Sequence, residues 1–92
     1  MSRESVILIG QKPPMNYVLA CLTAFHEGAD TIVIRARGQS ISKAVDVAEI
    51  VRRKFMPSSF VKEVTIDTEE LPLEGGAGVK RASAIVIRLS KK

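Results

Sequence analysis

The hydrophobic positions of the chain change their period along its length, and each period predicts one kind of element. Short runs of aliphatic and β-branched residues predict buried strands, whereas apolar residues at every third or fourth position predict amphipathic helices. Pro13 and Pro14 prevent the first strand from continuing and favour a helix start. The predicted strands are 5–9, 31–34, 60–68 and 81–89, and the predicted helices are 14–27 and 40–55.

The order of these elements, β-α-β-α-β-β, predicts an α/β protein and more narrowly an α+β two-layer sandwich. A strand–helix–strand unit implies a right-handed parallel crossover, so both helices should lie on one face of a mixed four-stranded sheet. The connection between the last two strands, 69–80, contains three glycines and is too long for a tight turn. We expect it to project as a long β-hairpin arm from a single domain that spans 1–92.

The apolar stripe of each helix predicts the face that packs on the sheet. In the first helix the stripe consists of Val18, Leu19, Leu22 and Phe25. In the second helix it consists of Ile41, Ala44, Val45, Ala48, Val51 and Phe55. Because aromatic residues make up only 4% of the chain, the core should be mainly aliphatic.

Length and charge narrow the class of protein. Ninety-two residues form one domain whose core is marginal without a partner, so we expect a dimer. A net charge of +4 favours an anionic partner.

Cys21 is the one cysteine and cannot form an internal disulfide, which fits a reducing compartment. The short apolar run at the N-terminus is neither a signal peptide nor a membrane span, so a cytoplasmic protein without a membrane partner is expected.

Side chains for catalysis or metal binding are scarce. His26, Cys21 and Tyr17 each occur once and offer no set of nucleophile, base and orienting group, so we expect no enzyme. The same scarcity predicts neither a metal site nor a cofactor. An acidic run near the hairpin connection matches no calcium loop, and we interpret it as a solvated strand end. Its members are Asp67, Glu69, Glu70 and Glu74.

The junction of the second strand and the second helix is the strongest candidate site. Gly38 can adopt positive φ or admit a close neighbour, and Ser40 or Ser42 can cap the first amides of the helix. A helix start attracts anions, and basic side chains near it add full positive charge. Those side chains are Arg35, Arg37 and Lys43. The pattern predicts a phosphate-binding turn, the alternative being an ordinary connection with solvated arginines.

The preceding loop extends this candidate site. If the first two strands are parallel neighbours, Lys12 should gather with Arg35 and Arg37 at the end of the sheet where both helices begin. Asn16 and Tyr17 could hydrogen-bond a phosphate or stack on a base; alternatively, Asn16 caps the helix and Tyr17 packs.

Two further basic residues stand where the hairpin returns to the body. Lys80 and Arg81 could grip a nucleic-acid backbone beyond the compact part of the domain. Few positions look equipped to read base edges, so we expect binding largely independent of sequence.

Two ordered blocks, 10–20 and 37–46, resemble the Alba family of archaeal chromatin proteins. The resemblance runs from about residue 6 to residue 88 and is weak in 69–80. It implies a small dimer that coats double-stranded DNA, also binds RNA and is located with the nucleoid in the cytoplasm. By position it gives the body contacts to Lys12 and Arg37.

The resemblance also implies roles outside the body. Lys80 and Arg81 correspond to the arm that reaches towards the minor groove, and Phe55 to a contact between adjacent dimers, core packing being the alternative for Phe55. The candidate nucleic-acid-binding residues are Gln11, Lys12, Asn16, Tyr17, Arg35, Arg37, Gly38, Gln39, Lys43, Lys80 and Arg81.

Two positions depart from the family pattern. Gln11 and Gln39 stand where relatives commonly carry basic residues, and each lost phosphate contact flattens the log–log salt dependence by roughly 0.9. Duplex binding should therefore be weaker than in a fully basic relative. Relatives can be acetylated at the loop lysine, a role that only Lys12 could serve here. The pattern also suggests a heterodimer with a more basic paralogue.

These observations favour a non-catalytic architectural protein that binds double-stranded DNA, and RNA as well, and compacts chromatin. The alternative is an RNA-binding subunit of a ribonucleoprotein. A third class, a small enzyme for a phosphorylated metabolite, would need a general base near Gly38 that the sequence does not offer.

Overall fold

The computed structural model describes residues 3–92. Four strands and two long helices make up most of this part of the chain. The strands are β1 (Glu4–Leu8), β2 (Thr31–Arg37), β3 (Ser59–Pro72) and β4 (Val79–Lys91). The helices are α1 (Pro14–His26) and α2 (Ile41–Ile50), and a π-helical turn, Val51–Phe55, continues α2. No helix among these residues is long and apolar enough to cross a membrane.

The sheet has the strand order β1-β2-β4-β3. β1 and β2 pair in parallel, whereas β4 is antiparallel to both β2 and β3. Both helices pack on one face of this mixed sheet, and a single buried cluster joins the two layers. The predicted element order and the α+β two-layer sandwich are confirmed.

The core lies between the helices and the two central strands. Alternate residues of β2 and β4 face the helices, because side chains along a strand point to opposite faces in turn. The largest fully buried side chains are Ile32, Ile34, Leu89, Val18, Val47, Val51 and Cys21. Burial of each large aliphatic side chain contributes about 1.5–3 kcal/mol, so this cluster is the main source of stability.

Three residues predicted to lie on the buried helix stripes are exposed. Leu19 is 60% exposed, and its place in the core is taken by Cys21, which follows Val18 by three positions. In the second helix Val45 and Phe55 are 42% and 48% exposed. The π-helical turn accounts for Phe55, because it breaks the regular α-helical spacing after residue 50. Simple core packing of Phe55 is therefore wrong.

The first strand was predicted to be buried, but only one of its faces packs against the core. β1 is an edge strand in which Ile7 packs against the core, whereas Val6 and Leu8 are 54% and 68% exposed on the opposite face of the sheet. That opposite face, which carries no helix, is called the open face below.

The hairpin of β3 and β4 is longer than its sequence pattern predicted. The pairing continues to Pro72 and Val79, so much of 69–80 is strand and only residues 73–78 close the turn. Within the turn the Leu73 amide donates to the Gly78 carbonyl over 3.0 Å. The molecule measures 47 × 29 × 19 Å along its principal axes. The outer part of the hairpin, residues 69–81, is called the arm below.

Candidate nucleic-acid interface

One end of the sheet carries most of the predicted site residues. β1 and β2 both finish there, with Leu8 paired to Arg35, and both helices begin there. We call this end, formed by residues 9–13 and 38–40, the loop edge. The predicted convergence of two helix starts and two strand ends is thus present, and the exposed side chains of Gln11, Lys12 and Gln39 lie on its two loops.

Tyr17 organises the first of these loops. Its hydroxyl accepts hydrogen bonds from the Gly10 amide at 2.9 Å and the Lys12 amide at 3.2 Å, and its ring packs against the core. A Cβ atom at residue 10 would lie 3.2 Å from that hydroxyl, so glycine permits the close approach. Tyr17 thus packs and supports the loop, as the second of its two interpretations had it.

Asn16 stays exposed beside Tyr17 and does not cap the helix. No side-chain hydrogen bond caps α1, and the backbone amide of Asn16 donates to the Pro13 carbonyl at 3.0 Å. The capping interpretation of Asn16 is therefore wrong. Its side-chain amide is exposed to solvent next to the loop edge.

Lys43 ties the second helix to the same loop. Its ammonium group donates to the carbonyls of Gly10 and Lys12, each at 2.8 Å, and lies 6.0 Å from the centre of the Tyr17 ring. An ammonium group has three donors, so two of them are committed to the loop. Lys43 therefore acts first as a positioning residue for Lys12, a role that its spacing in the sequence did not indicate.

The second loop turns through Gly38. Of the two roles open for this glycine, its φ of +58° supports the left-handed conformation, and a Cβ there would meet nothing within 4 Å, so conformation and not a close neighbour calls for glycine. No side chain caps the turn or α2, so the predicted caps Ser40 and Ser42 are wrong. The Ile41 amide instead donates to the Gly38 carbonyl in a tight 3₁₀ turn. The turn therefore provides the hydrogen-bond acceptor for the Ile41 amide from its own backbone.

Arg35 and Arg37 do not surround the helix start as predicted. Ile34 and Ala36 face the helices, so strand alternation places both arginines on the open face. Arg37 there forms an ion pair with Glu69, with 3.2 Å between Nη1 and Oε2. The interpretation of the acidic run as merely solvated is therefore wrong at Glu69.

A groove of about 430 Å³ runs along the open face beside this ion pair. Arg35, Arg37 and Glu69 provide its polar lining, and Leu8 and Val86 contribute apolar surface. Sequence reasoning missed Glu69 because its partner is 32 residues away. The alternation of Arg35, Ala36 and Arg37 was nevertheless a signal that both arginines share a face.

The basic residues of the arm are separate from the loop edge. Lys80 and Arg81 are exposed and pair across the hairpin with Leu71 and Glu70. On β4 Lys80 lies four residues beyond Ala84, the partner of Arg37, so Lys80 and Arg37 share the open face about 13 Å apart along the strand, whereas Arg81 points to the opposite face. Lys80 and Arg37 can thus lie along one extended polyanion.

Two ionisable side chains outside the loop edge, Cys21 and Glu49, have shifted pKa values that their surroundings explain. Burial raises the pKa of the Cys21 thiol to about 12, so this thiol is a poor nucleophile. A hydrogen bond from Arg52 is the main cause that lowers the pKa of Glu49, and the charge of Arg53 adds to it. Among residues 3–92, no cluster of three or more His, Cys, Asp or Glu side chains could hold a metal ion.

The sequence and the fold both match known proteins. The Alba family model matches residues 5–68. DNA/RNA-binding protein Alba of Thermoplasma volcanium is 50% identical over 91 residues, which cover 99% of this chain and 100% of that protein. DNA/RNA-binding protein Alba 1 of Archaeoglobus fulgidus is 52% identical over 89 residues, which cover 97% and 98% of the two chains.

Solved structures agree with this match. Alba from Thermoplasma volcanium has a TM-score of 0.87 and 50% identity, with 95% of this chain and 100% of that chain covered. ALBA1 from Trypanosoma brucei has a TM-score of 0.76 at 21% identity, covering 94% and 68% of the two chains, a likeness of fold alone. The ordered blocks around Lys12 and Gly38, the two-layer fold and these matches lead to one conclusion: the chain belongs to the Alba family.

Proposed function

We propose that this protein binds nucleic acid through phosphates, without catalysis and largely without sequence specificity. The observation that carries this proposal is the end of the sheet at which two helices begin: exposed Lys12 lies there on the loop edge, and exposed Arg37 lies beside the loop edge on the open face. Helix starts and basic side chains both favour anions. The names of the relatives, DNA/RNA-binding proteins, support the same function for this chain.

The preferred ligand in this proposal is double-stranded DNA, which the protein coats and compacts in the nucleoid. The body supplies Lys12 and Arg37, and the arm extends the contact through Lys80 and Arg81. Most of these groups suit phosphate oxygens, and such contacts position a protein on the duplex without reading its sequence. RNA presents the same phosphates, so we expect it to bind as well.

The proposed functional unit is a dimer, and an apolar strip on β3 is its interface. The strip consists of Val61, Val64 and Ile66, which pair with core residues of β4 and therefore face the helix side of the sheet. α2 packs over β2 and β4 and leaves the strip exposed, up to 79% at Ile66. A second copy covering this strip would complete the core, and Phe55 is then available for contacts between dimers.

Salt titrations test the proposed ligand. Affinity for a random-sequence DNA duplex and for a structured RNA of equal length is measured from about 50 to 200 mM salt. Lys12→Ala should lower the log–log slope by roughly 0.9 and Arg37→Ala by no more than that amount, each equally for different sequences. The matched control is Lys62→Ala, which removes the same charge at the bulge of β3, away from the loop edge.

The outcomes separate the candidate functions. Steep slopes with DNA at least as tight as RNA support the architectural role. A strong preference for structured RNA replaces it with the ribonucleoprotein alternative. If Lys12→Ala and Arg37→Ala behave like Lys62→Ala, neither the loop edge nor the adjoining Arg37 is the interface.

Molar mass in solution tests the dimer. We expect light scattering to give twice the 10.0 kDa of the chain. Ile66→Asp should halve that mass, because a carboxylate in the covered strip would lose its hydration. Leu19→Asp is the control, since Leu19 is 60% exposed on α1, outside the strip. A dimer that survives Ile66→Asp would place the interface elsewhere.

A further inference from the structure

The ion pair of Arg37 and Glu69 points to an internal competitor for the nucleic acid. We propose that the Glu69 carboxylate pairs with Arg37 until a phosphate displaces it, and that Glu69 thereby sets the affinity and the salt dependence of nucleic-acid binding at Arg37. This inference rests on the proposed function, because it concerns the same arginine.

The geometry of the sheet makes this pair possible across an intervening strand. Arg37 on β2 pairs with Ala84 of β4, and Glu69 on β3 pairs with Ala82 of β4. Both of these β4 residues are alanines, and their short side chains let the guanidinium reach over β4 on the open face. The result is the 3.2 Å contact between Nη1 and Oε2.

Arg35 provides an internal contrast on the same strand. It pairs with Val86 of β4, beyond which β3 presents Thr65. No ion pair of Arg35 is found among the described residues, although it lies only two positions before Arg37 and on the same face. The sheet thus supplies a carboxylate to Arg37, the arginine nearer the loop edge, and leaves Arg35 to solvent.

The pair is exposed enough for exchange. Arg37 and Glu69 side chains are 58% and 35% accessible, and exposed ion pairs are weak. A phosphate offers the guanidinium the same two-oxygen geometry as a carboxylate. Exchange is therefore feasible, but it leaves the Glu69 charge without its partner and close to the incoming phosphate.

This exchange has a signature in the salt dependence. A phosphate that binds an arginine releases a condensed cation, which makes affinity fall with salt. Glu69, once unpaired, attracts a cation again and cancels part of that release. Removal of its charge should therefore both tighten binding and steepen the slope, whereas a merely structural contact would not steepen it.

Glu69→Gln tests the inference, with Glu63→Gln as the matched control. Glu63 lies on the same strand and the same face, and it pairs with Arg88 at the same distance of 3.2 Å, but Arg88 is not a candidate binding residue. Both variants remove one negative charge and one ion pair, and Arg88 keeps its second ion pair with Glu4, with 3.0 Å between Nη1 and Oε2. Their affinities for a random-sequence DNA duplex are measured between about 50 and 200 mM salt, with thermal melting to confirm folding.

We expect Glu69→Gln to tighten binding several-fold more than Glu63→Gln and to steepen the slope by up to about 0.9. In an Arg37→Ala background, Glu69→Gln should have no more effect than Glu63→Gln. Equal effects of the two variants in the native background, or weaker binding by Glu69→Gln, would overturn the competitor role while the proposed function stands. Failure of every variant and of the native protein to bind would overturn both.

Discussion

The loop edge and the arm both present exposed basic residues, but the fold holds them in different ways. At the loop edge the backbone on either side of Lys12 is fastened by the Tyr17 hydroxyl and the Lys43 ammonium group. On the arm Lys80 and Arg81 rest only on the ladder of a two-stranded ribbon. The first region is preorganised for its ligand, whereas the second can bend to follow it.

This difference affects how much conformational entropy each region loses when the ligand binds. A preorganised contact loses little conformational entropy when the ligand arrives, while an adaptable one must be ordered at that moment. We therefore expect the loop edge to determine where the ligand sits and the arm to add charge along it. Three predictions examine that division, from the largest expected effect to the smallest.

The largest effect should come from loss of the two basic side chains of the arm. The double variant Lys80→Ala and Arg81→Ala removes two phosphate contacts, which should lower the log–log salt slope by about 1.8. The advantage of the native protein over this variant should then shrink roughly tenfold between about 50 and 200 mM salt. Fluorescence anisotropy with labelled duplex measures both quantities. An unchanged slope would show that the arm does not contact phosphates.

Lys43→Met should have an intermediate effect of another kind. The substitution keeps most of the length of the side chain but removes both hydrogen bonds to the loop carbonyls, so Lys12 loses its fixed position. We expect affinity to fall about tenfold, corresponding to about 1.4 kcal/mol, with little change in the salt slope.

The matched control for Lys43 is Lys54→Met, which removes the same charge from an exposed position at the end of the second helix. Lys54→Met should leave affinity nearly unchanged. A slope that falls by roughly 0.9 in Lys43→Met would instead make Lys43 a direct phosphate contact.

The smallest effect should follow from Tyr17→Phe, which removes a single oxygen atom. The ring still packs on the core, but the amides of Gly10 and Lys12 lose their acceptor. At about 1 kcal/mol for a hydrogen bond, amide exchange at these two residues should accelerate about fivefold, and affinity should fall about threefold.

The control for Tyr17 lies within the same exchange experiment. The Asn16 amide, which donates to the Pro13 carbonyl, should keep its native exchange rate. Unchanged exchange at Gly10 and Lys12 would mean that Lys43 alone orders the loop. The preorganisation that distinguishes the loop edge from the arm would then depend on that one residue.

The exposed apolar residues show where local pattern and tertiary structure diverge. Helical spacing alone could not tell that Phe55 lies beyond a π-helical turn, or that the second helix stops short of β3. Both facts depend on how the layers pack, since a residue on the margin of a stripe is buried only if a neighbour covers it. The same uncertainty applied to Leu19 and Leu8, each on the far side of its element.

The candidate site divides in the same way. Gly38 with positive φ, and the two helix starts beside Lys12, followed from local chemistry, because turns and chain breaks depend on adjacent residues. The partners of Lys43, Tyr17 and Glu69 did not follow, because each contact joins segments that meet only once the sheet has formed. The resemblance to Alba proteins supplied candidate binding positions but not the contacts that these side chains make within the chain.

The sequence by itself determined the element order, the two-layer sandwich, the family and the location of the basic loops, since these depend on periodicity and on residues that are neighbours in the chain. Only the tertiary structure decided that Arg37 crosses a strand to Glu69 and that Lys43 holds the loop of Lys12. The physical reason is distance along the chain: contacts between residues about thirty positions apart depend on sheet register and layer packing, which no local pattern encodes.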